Sequence, residues 1–263
     1  MSCIDQIGYQ ISLEVFPKRI ISVVPSQTEL LYDLGLENEV VGITKFCIHP
    51  KKWFETKVRV GGTKTLDLEK IKQLKPDLII ANKEENTKKQ IKELQQHFSV
   101  WTSDIRNLAD SLEMIKQVGL ITNTESKAKE IVSKIEKDFE HLSSIKKQPK
   151  STLYFIWKDP YMSIGATTFI HDVMERAGFI NVIETQENYP IITEEEIRTI
   201  NPQLILLSSE PYPFKEKHIK QFEKICPNAQ ILLVDGELFS WYGSRLTKTV
   251  NYLVDLYAKI EPI

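Results

Sequence analysis

The sequence predicts an α/β protein of two similar lobes, each with a mainly parallel sheet, joined by one long helix. Three observations carry that expectation. One segment occurs twice: Leu68-Glu69-Lys70-Ile71-Lys72-Gln73-Leu74-Lys75-Pro76-Asp77-Leu78-Ile79-Ile80 returns as Glu194-Glu195-Glu196-Ile197-Arg198-Thr199-Ile200-Asn201-Pro202-Gln203-Leu204-Ile205-Leu206. Apolar β-branched runs alternate with helical stretches along the chain, the pattern of parallel strands covered by helices. Between the halves, Glu125 to about Ile145 places Ala128, Ile131, Val132, Ile135, Phe139 and Leu142 on one stripe, and about twenty helical residues span about 30 Å. The expected division is a lobe over 1–121, a connecting helix over 122–149 and a lobe over 150–263. Such lobes would enclose a cleft, where small ligands usually bind, and a stiff connector would limit their closure.

Each element has its own justification. Arg19 to Val24 is a buried strand ended by Pro25, and Ser26-Gln27-Thr28-Glu29 has the spacing of a capping box before a helix over Leu30 to Leu34 that stops at Gly35. Val40 to Ile43 is a second strand. Asp67 can cap a helix over 68–75, because its carboxylate can accept from free backbone N–H groups. Leu78 to Ala81 is a third strand, and a helix from Thr87 to Gln96 leads to a strand over Phe98 to Thr102. Leu108 to Leu120 is helical. In the second half, Leu153 to Ile156 is a strand, a helix around Phe169 to Arg176 stops at Gly178, and Thr193 with Glu196 forms a second capping box. Leu204 to Leu207 and Ile231 to Val234 are strands, separated by a helix over Lys217 to Ile225. Leu246, Val250, Leu253, Val254 and Tyr257 share one face of a last helix from about Ser244 to Tyr257.

Composition excludes several functions. Hydrophobic residues form 41% and charged residues 27% of the 263, ordinary for a globular protein. A net charge of −2 argues against a nucleic-acid partner, and no apolar run approaches a membrane span. Cys3, Cys47 and Cys226 are odd in number and widely spaced, which points to reduced thiols rather than a disulfide framework. Met1-Ser2-Cys3-Ile4-Asp5-Gln6 has neither a basic start nor an apolar core, so the expected location is cytoplasmic; a periplasmic or lipid-anchored location is the alternative for a trimmed chain.

Candidate chemistry gathers where strands end, the edge at which open α/β sheets take ligands. Phe46-Cys47-Ile48-His49-Pro50 follows a strand, and Cys47 and His49 are candidate soft-metal ligands that would need a third, such as Glu237. Glu237-Leu238-Phe239-Ser240-Trp241-Tyr242-Gly243-Ser244-Arg245 is the richest segment: Trp241 and Tyr242 offer rings with polar tips, and Arg245 could grip a carboxylate or phosphate. Trp157 follows the first strand of the second lobe. Lys64 and Glu84-Glu85-Asn86 lie in loops that could add polar contacts. His171 fits a structural histidine, whereas His97, His141 and His218 sit among charged residues and are expected at the surface. No GxSxG, HExxH, GxxxxGK[ST] or GxGxxG motif occurs, and Gly61-Gly62-Thr63-Lys64-Thr65 lacks the adjacent Gly-Lys pair of a phosphate loop.

Pro17-Lys18-Arg19-Ile20-Ile21-Ser22, Pro25-Ser26-Gln27-Thr28-Glu29-Leu30, Val41-Gly42-Ile43-Thr44 and Leu68 to Ile80, with the long helix, resemble the substrate-binding proteins of bacterial iron-chelate and cobalamin ABC importers. The resemblance covers nearly the whole chain and implies the class III binding-protein fold, with two Rossmann-like lobes. It implies that Glu69 and Glu195 dock on arginines of a membrane permease. Cobalamin receptors resemble the chain most; they imply a ring at Phe46 and at Tyr189 and an acid at Glu237 in the cleft, while Thr63 stands where they carry tryptophan. The expected function is therefore non-enzymatic capture of a metal chelate or corrinoid-like ligand between the lobes for ABC-type transport. The rival is a cytoplasmic metal-binding protein or enzyme using Cys47, His49 and Glu237 on the same fold.

Overall fold

The computed structural model describes residues 2–260, which divide into two compact units. The first comprises residues up to Ile105, Ala109–Lys134 and Tyr242–Arg245; the second comprises Arg106–Leu108, Ile135–Trp241 and the chain from Leu246 onward. This division departs from the sequence segmentation in two ways. The helix Glu125–Ser144 is no separate piece: its residues are shared between the units at Lys134 and Ile135. The four residues Tyr242–Arg245, deep in the second half of the chain, belong to the first unit.

The first unit is built on a five-stranded parallel sheet in the order Val58–Arg59, Val40–Ile43, Ile20–Ser22, Leu78–Asn82, Val100–Ser103. Ile20, Ile21 and Leu78 through Ala81 have no exposed surface, as expected where helices cover both faces. Gly42 is required for packing: a Cβ there would meet Leu74 Cδ1 at 3.0 Å and Val60 Cγ1 at 3.1 Å, so the helix Leu68–Leu74 can approach only a bare backbone. That helix starts as expected, with Asp67 accepting from the Lys70 N–H at 3.0 Å, and it stops at Lys75 in the left-handed region, φ 46°. The helix Pro25–Asp33 does not start as expected. Its N-cap is Val24, which has no side chain able to cap, and Glu29 turns away to Arg245 instead of back to Ser26. An antiparallel hairpin, Ser2–Ile4 with Gln10–Ser12, was not foreseen; Asp5 holds it by accepting from the N–H groups of Ile7, Tyr9 and Thr102.

The second unit repeats the scheme. Its sheet runs Met162–Ser163, Lys150–Trp157, Leu204–Ser208, Gln230–Val234, and Phe179–Asn181 also pairs with Lys150–Trp157. Only the Met162–Ser163 pairing is antiparallel within it. Leu153, Phe155, Ile197, Ile205, Leu207 and Phe222 form its core. The helix Glu194–Ile200 carries the expected capping box: Thr193 accepts from the Glu196 N–H, and the Glu196 carboxylate accepts from the Thr193 N–H at 2.7 Å. It stops at Asn201, again left-handed at φ 44°. His218 is not at the surface. It is 2% exposed on the helix Glu216–Ile225, its Nδ1 accepts from the Lys215 N–H at 2.8 Å, and its Nε2 lies 3.2 Å from the Tyr212 hydroxyl. Accepting at Nδ1 leaves the proton on Nε2, which therefore donates to the phenol oxygen. Among the described residues no helix is long and apolar enough to cross a membrane.

Candidate functional site

In the first unit the strand order reverses direction at Ile20–Ser22, whose neighbours are Val40–Ile43 and Leu78–Asn82. Loops leaving such a reversal diverge and open a crevice at the carboxyl ends. Phe46 stands there, half exposed at 51%, with Lys45 Nζ 5.1 Å from its ring centre. An ammonium over a ring face is attracted by its quadrupole. Phe46 and Lys45 rest on Gly62, where a Cβ would lie 3.1 Å from Phe46 Cε2. Thr63 beside it is buried, and the exposed Lys64 donates to the Glu84 carbonyl. The loop at the end of Leu78–Asn82 is tied rather than merely solvated. Asn82 Oδ1 accepts from the Glu84 and Glu85 N–H groups at 2.8 and 2.9 Å, and the buried Asn86 donates to the carbonyls of Val23 and Thr63 at 3.1 and 3.0 Å. Asn86 thus links three strand-end loops. Glu85 is exposed on this loop, near the Lys64 side chain.

Cys47 and His49 are not brought together as a metal site. Cys47 is fully buried, its Sγ lies 3.1 Å from the hydroxyls of both Thr28 and Thr44, and burial raises its thiol pKa. A protonated thiol is a poor ligand. Among the described residues no group of three His, Cys, Asp or Glu side chains is placed to hold an ion. His49 is half buried and Glu237 opens the short helix Glu237–Ser240 in the other unit.

Arg245 corrects the sequence reading most sharply. Its guanidinium is 7% exposed and its Nε and Nη2 donate to the two Glu29 oxygens at 2.7 and 3.1 Å. A fork used on an internal carboxylate is not offered to an anionic ligand. Tyr242 is likewise buried in the first unit, where burial lifts its phenol well above the ordinary tyrosine range, with Glu85 adding to the effect. Gly243, at φ 95°, lets the chain turn between these two, and its N–H donates to Ser111 Oγ at 3.1 Å.

In the second unit Trp157 ends its strand 39% exposed, in edge contact with Tyr212 at 5.8 Å. Tyr212, which follows Leu204–Ser208, was missed in the sequence; its position just beyond a buried strand was the available signal. Glu210 was also missed, and it accepts from Ser240 Oγ at 2.7 Å and Trp241 Nε1 at 2.9 Å. Trp241 is therefore 8% exposed and held by its polar tip rather than presented outward. Tyr189 lies half buried in the loop before Thr193.

The two repeated acids lie in first helical turns. Glu69 is exposed and accepts from Lys72 Nζ at 2.9 Å. Glu195 is exposed too, has no hydrogen bond or salt bridge from its carboxylate among the described residues, and lines a cavity of about 450 Å³ floored by Ile183 and Ile192.

The profile of a family described as periplasmic binding protein matches residues 20–224. An ABC transporter substrate-binding lipoprotein of Bacillus subtilis is 26% identical, over 95% of this chain and 83% of its own. A vitamin B12-binding protein of Vibrio cholerae is 29% identical, over 73% of this chain and 71% of its own. The solved structure of a periplasmic solute-binding protein of Staphylococcus epidermidis, described as possibly iron-binding in its designation, superposes with a TM-score of 0.78 at 25% identity over 92% of this chain and all of that one. The cytoplasmic placement expected from the first residues is thereby corrected: the similar proteins are lipoproteins or periplasmic. The leading residues carry no weight in that question.

Proposed function

This chain belongs to the periplasmic binding protein family, and we propose that it captures a corrinoid or an iron chelate for an ABC-type importer. The observation that carries the reading is an accessible aromatic ring at the carboxyl edge of each sheet, Phe46 in the first unit and Trp157 in the second. Broad, flat ligands gain from ring contact, worth about 0.5–1.5 kcal/mol per pair beyond area burial. The vitamin B12-binding relative and the iron-binding description of the Staphylococcus protein supply the ligand classes. Thr63 in place of the tryptophan implied for cobalamin receptors favours a ligand with fewer stacking contacts on that side. Lys45, Lys64, Tyr189, Tyr212 and Glu237 would add polar contacts. Binding is the whole activity in this reading, and no reaction is assigned. Glu69 and Glu195 would dock a permease through its arginines, as carboxylates suited to bidentate guanidinium contact.

Titration with cyanocobalamin, haemin and a ferric siderophore, read by tryptophan fluorescence, tests the ligand. One of them is expected to bind at micromolar concentration or tighter, and Phe46→Ala and Trp157→Ala are expected to weaken it by about threefold to tenfold. Absence of binding to all three overturns the reading.

A further inference from the structure

We propose that the second unit carries a separate site for a phosphate-bearing dianion, in a cavity of about 380 Å³ lined by Lys158, Asp159, Tyr161, Glu194, Arg198 and Lys224. The volume is within the range of small-molecule sites. Three rigid pieces of one unit frame it: the turn after Lys150–Trp157, the helix Glu194–Ile200 and the helix Glu216–Ile225.

Charge, not shape alone, carries the inference. Three cations face two carboxylates in this cavity. Glu194 is committed to Arg198, at 3.0 Å across one helical turn. That contact uses one of the five N–H donors of the guanidinium and orients the rest. The Lys158 side chain is only 19% exposed, and its one salt bridge is a loose 3.9 Å contact to Asp159, which is 84% exposed. An exposed acid at that distance is mostly screened by water and compensates a buried ammonium weakly. Lys224 has no hydrogen bond or salt bridge among the described residues. Lys158, largely buried, is thus under-compensated, and the exposed Lys224 and Arg198 add further positive charge at the same cavity. The same local field acts on the neighbouring His218, whose proton affinity falls through burial first and then through Lys158 and Lys217. The half-buried Tyr161 phenol, a neutral group that burial shifts further upward, can serve as a donor. A doubly charged phosphate group satisfies two ammoniums and a guanidinium together. The source is either free phosphate or the phosphomonoester headgroup of an anionic lipid.

The test uses the full chain, with inorganic phosphate at ionic strength held constant by sodium chloride. Saturable binding by calorimetry in the millimolar range is expected. It should weaken at least fivefold in the Lys158→Gln/Lys224→Gln double variant and stay unchanged in Lys70→Gln. A double change to arginine preserves charge and should retain binding, which separates loss of the site from loss of fold. Flotation with phosphatidic acid against phosphatidylcholine vesicles identifies the source. Recovery with the anionic vesicles that fails in the glutamine variant assigns a headgroup, and saturable phosphate binding without flotation assigns the free anion. No saturable binding and no flotation, or equal behaviour of all variants, overturns the proposal. Corrinoid and iron-chelate titrations of the same variants should be unaffected, so failure here leaves the capture function standing.

Discussion

The two units solve one architectural problem with the same local device and then part company. In each, a capped seven-residue helix ends on a left-handed residue, a proline follows, and a fully buried five-residue strand begins. The left-handed stop turns the chain, and the proline prevents the helix from continuing. The chemistry differs around this shared backbone. Asp67 caps one copy alone, whereas Thr193 and Glu196 cap the other reciprocally. Glu69 is engaged by Lys72, whereas Glu195 has no such neighbour. The first unit closes its core with Tyr242–Arg245 from far along the chain, and the second closes around its own aromatic cluster of Phe155, Tyr161, Phe214 and Phe222. Backbone geometry was kept between the copies, while the means of holding it diverged.

The largest effect that can test this contrast lies in the buried ion pair. Glu29→Gln or Arg245→Met should destabilise the first unit by about 3–5 kcal/mol, because each leaves a buried charge or polar group without its partner. Hydrogen exchange should show the loss in strands Ile20–Ser22 and Leu78–Asn82 well before Leu204–Ser208. Equal loss in both units would erase the contrast. The Glu29→Leu/Arg245→Met pair should recover much of the stability, since two apolar groups replace two desolvated charges.

Removing the caps comes next. Asp67→Ala and Thr193→Ala should each cost about 1 kcal/mol in urea denaturation. The threonine change should cost more, because it also removes the 2.7 Å hydroxyl contact to Glu196. A silent Asp67→Ala would mean that the two helix starts share shape but not cause.

Acidification should then distinguish the second unit. His218 titrates lower than an ordinary histidine, chiefly through burial. The folded state therefore prefers the neutral ring. That preference stabilises the fold above the unfolded pKa and is lost as pH falls through the lower folded one. The melting temperature should fall below about pH 6.5, and His218→Gln should flatten that part of the profile. An unchanged slope in the variant refutes the assignment.

The smallest effects belong to the left-handed stops. Lys75→Gly should stabilise by about 0.5–1 kcal/mol, as glycine relieves the Cβ clash at positive φ at some entropic cost. Asn201→Gly should gain nothing, since asparagine tolerates that conformation and its Oδ1 accepts from the Cys226 thiol at 3.4 Å. Equal gains would show that both stops are equally strained.

Much of the fold was readable because it is local. Leu78 to Ala81 and Leu204 to Leu207 are continuous apolar runs, as strands covered on both faces must be. Asp67 and Thr193 declare their helices within four residues. Two-residue strands such as Val58–Arg59 and Gly61–Gly62 carry too few side chains for any period to appear. Ser26-x-x-Glu29 has the spacing of a cap, but its carboxylate answers to a guanidinium 216 residues away, which no window sees. His218 was misread for a related reason: Lys217 and Lys220 flank it in sequence, yet the helix turns them to solvent and the imidazole inward. In the candidate site, the accessible Phe46 and Trp157 followed from the rule of strand ends. Arg245 did not, because a guanidinium at a helix start looks the same whether its partner is a ligand or a residue of its own chain.

The distance between Glu29 and Arg245 along the chain has a consequence for biosynthesis. A ribosome adding about 5–20 residues per second delivers the arginine roughly 10–40 s after the glutamate, since 216 positions separate the two. Until that moment the nascent amino-terminal half holds a carboxylate at a core position with nothing opposite it. Its completion as a domain therefore waits until synthesis has passed Arg245.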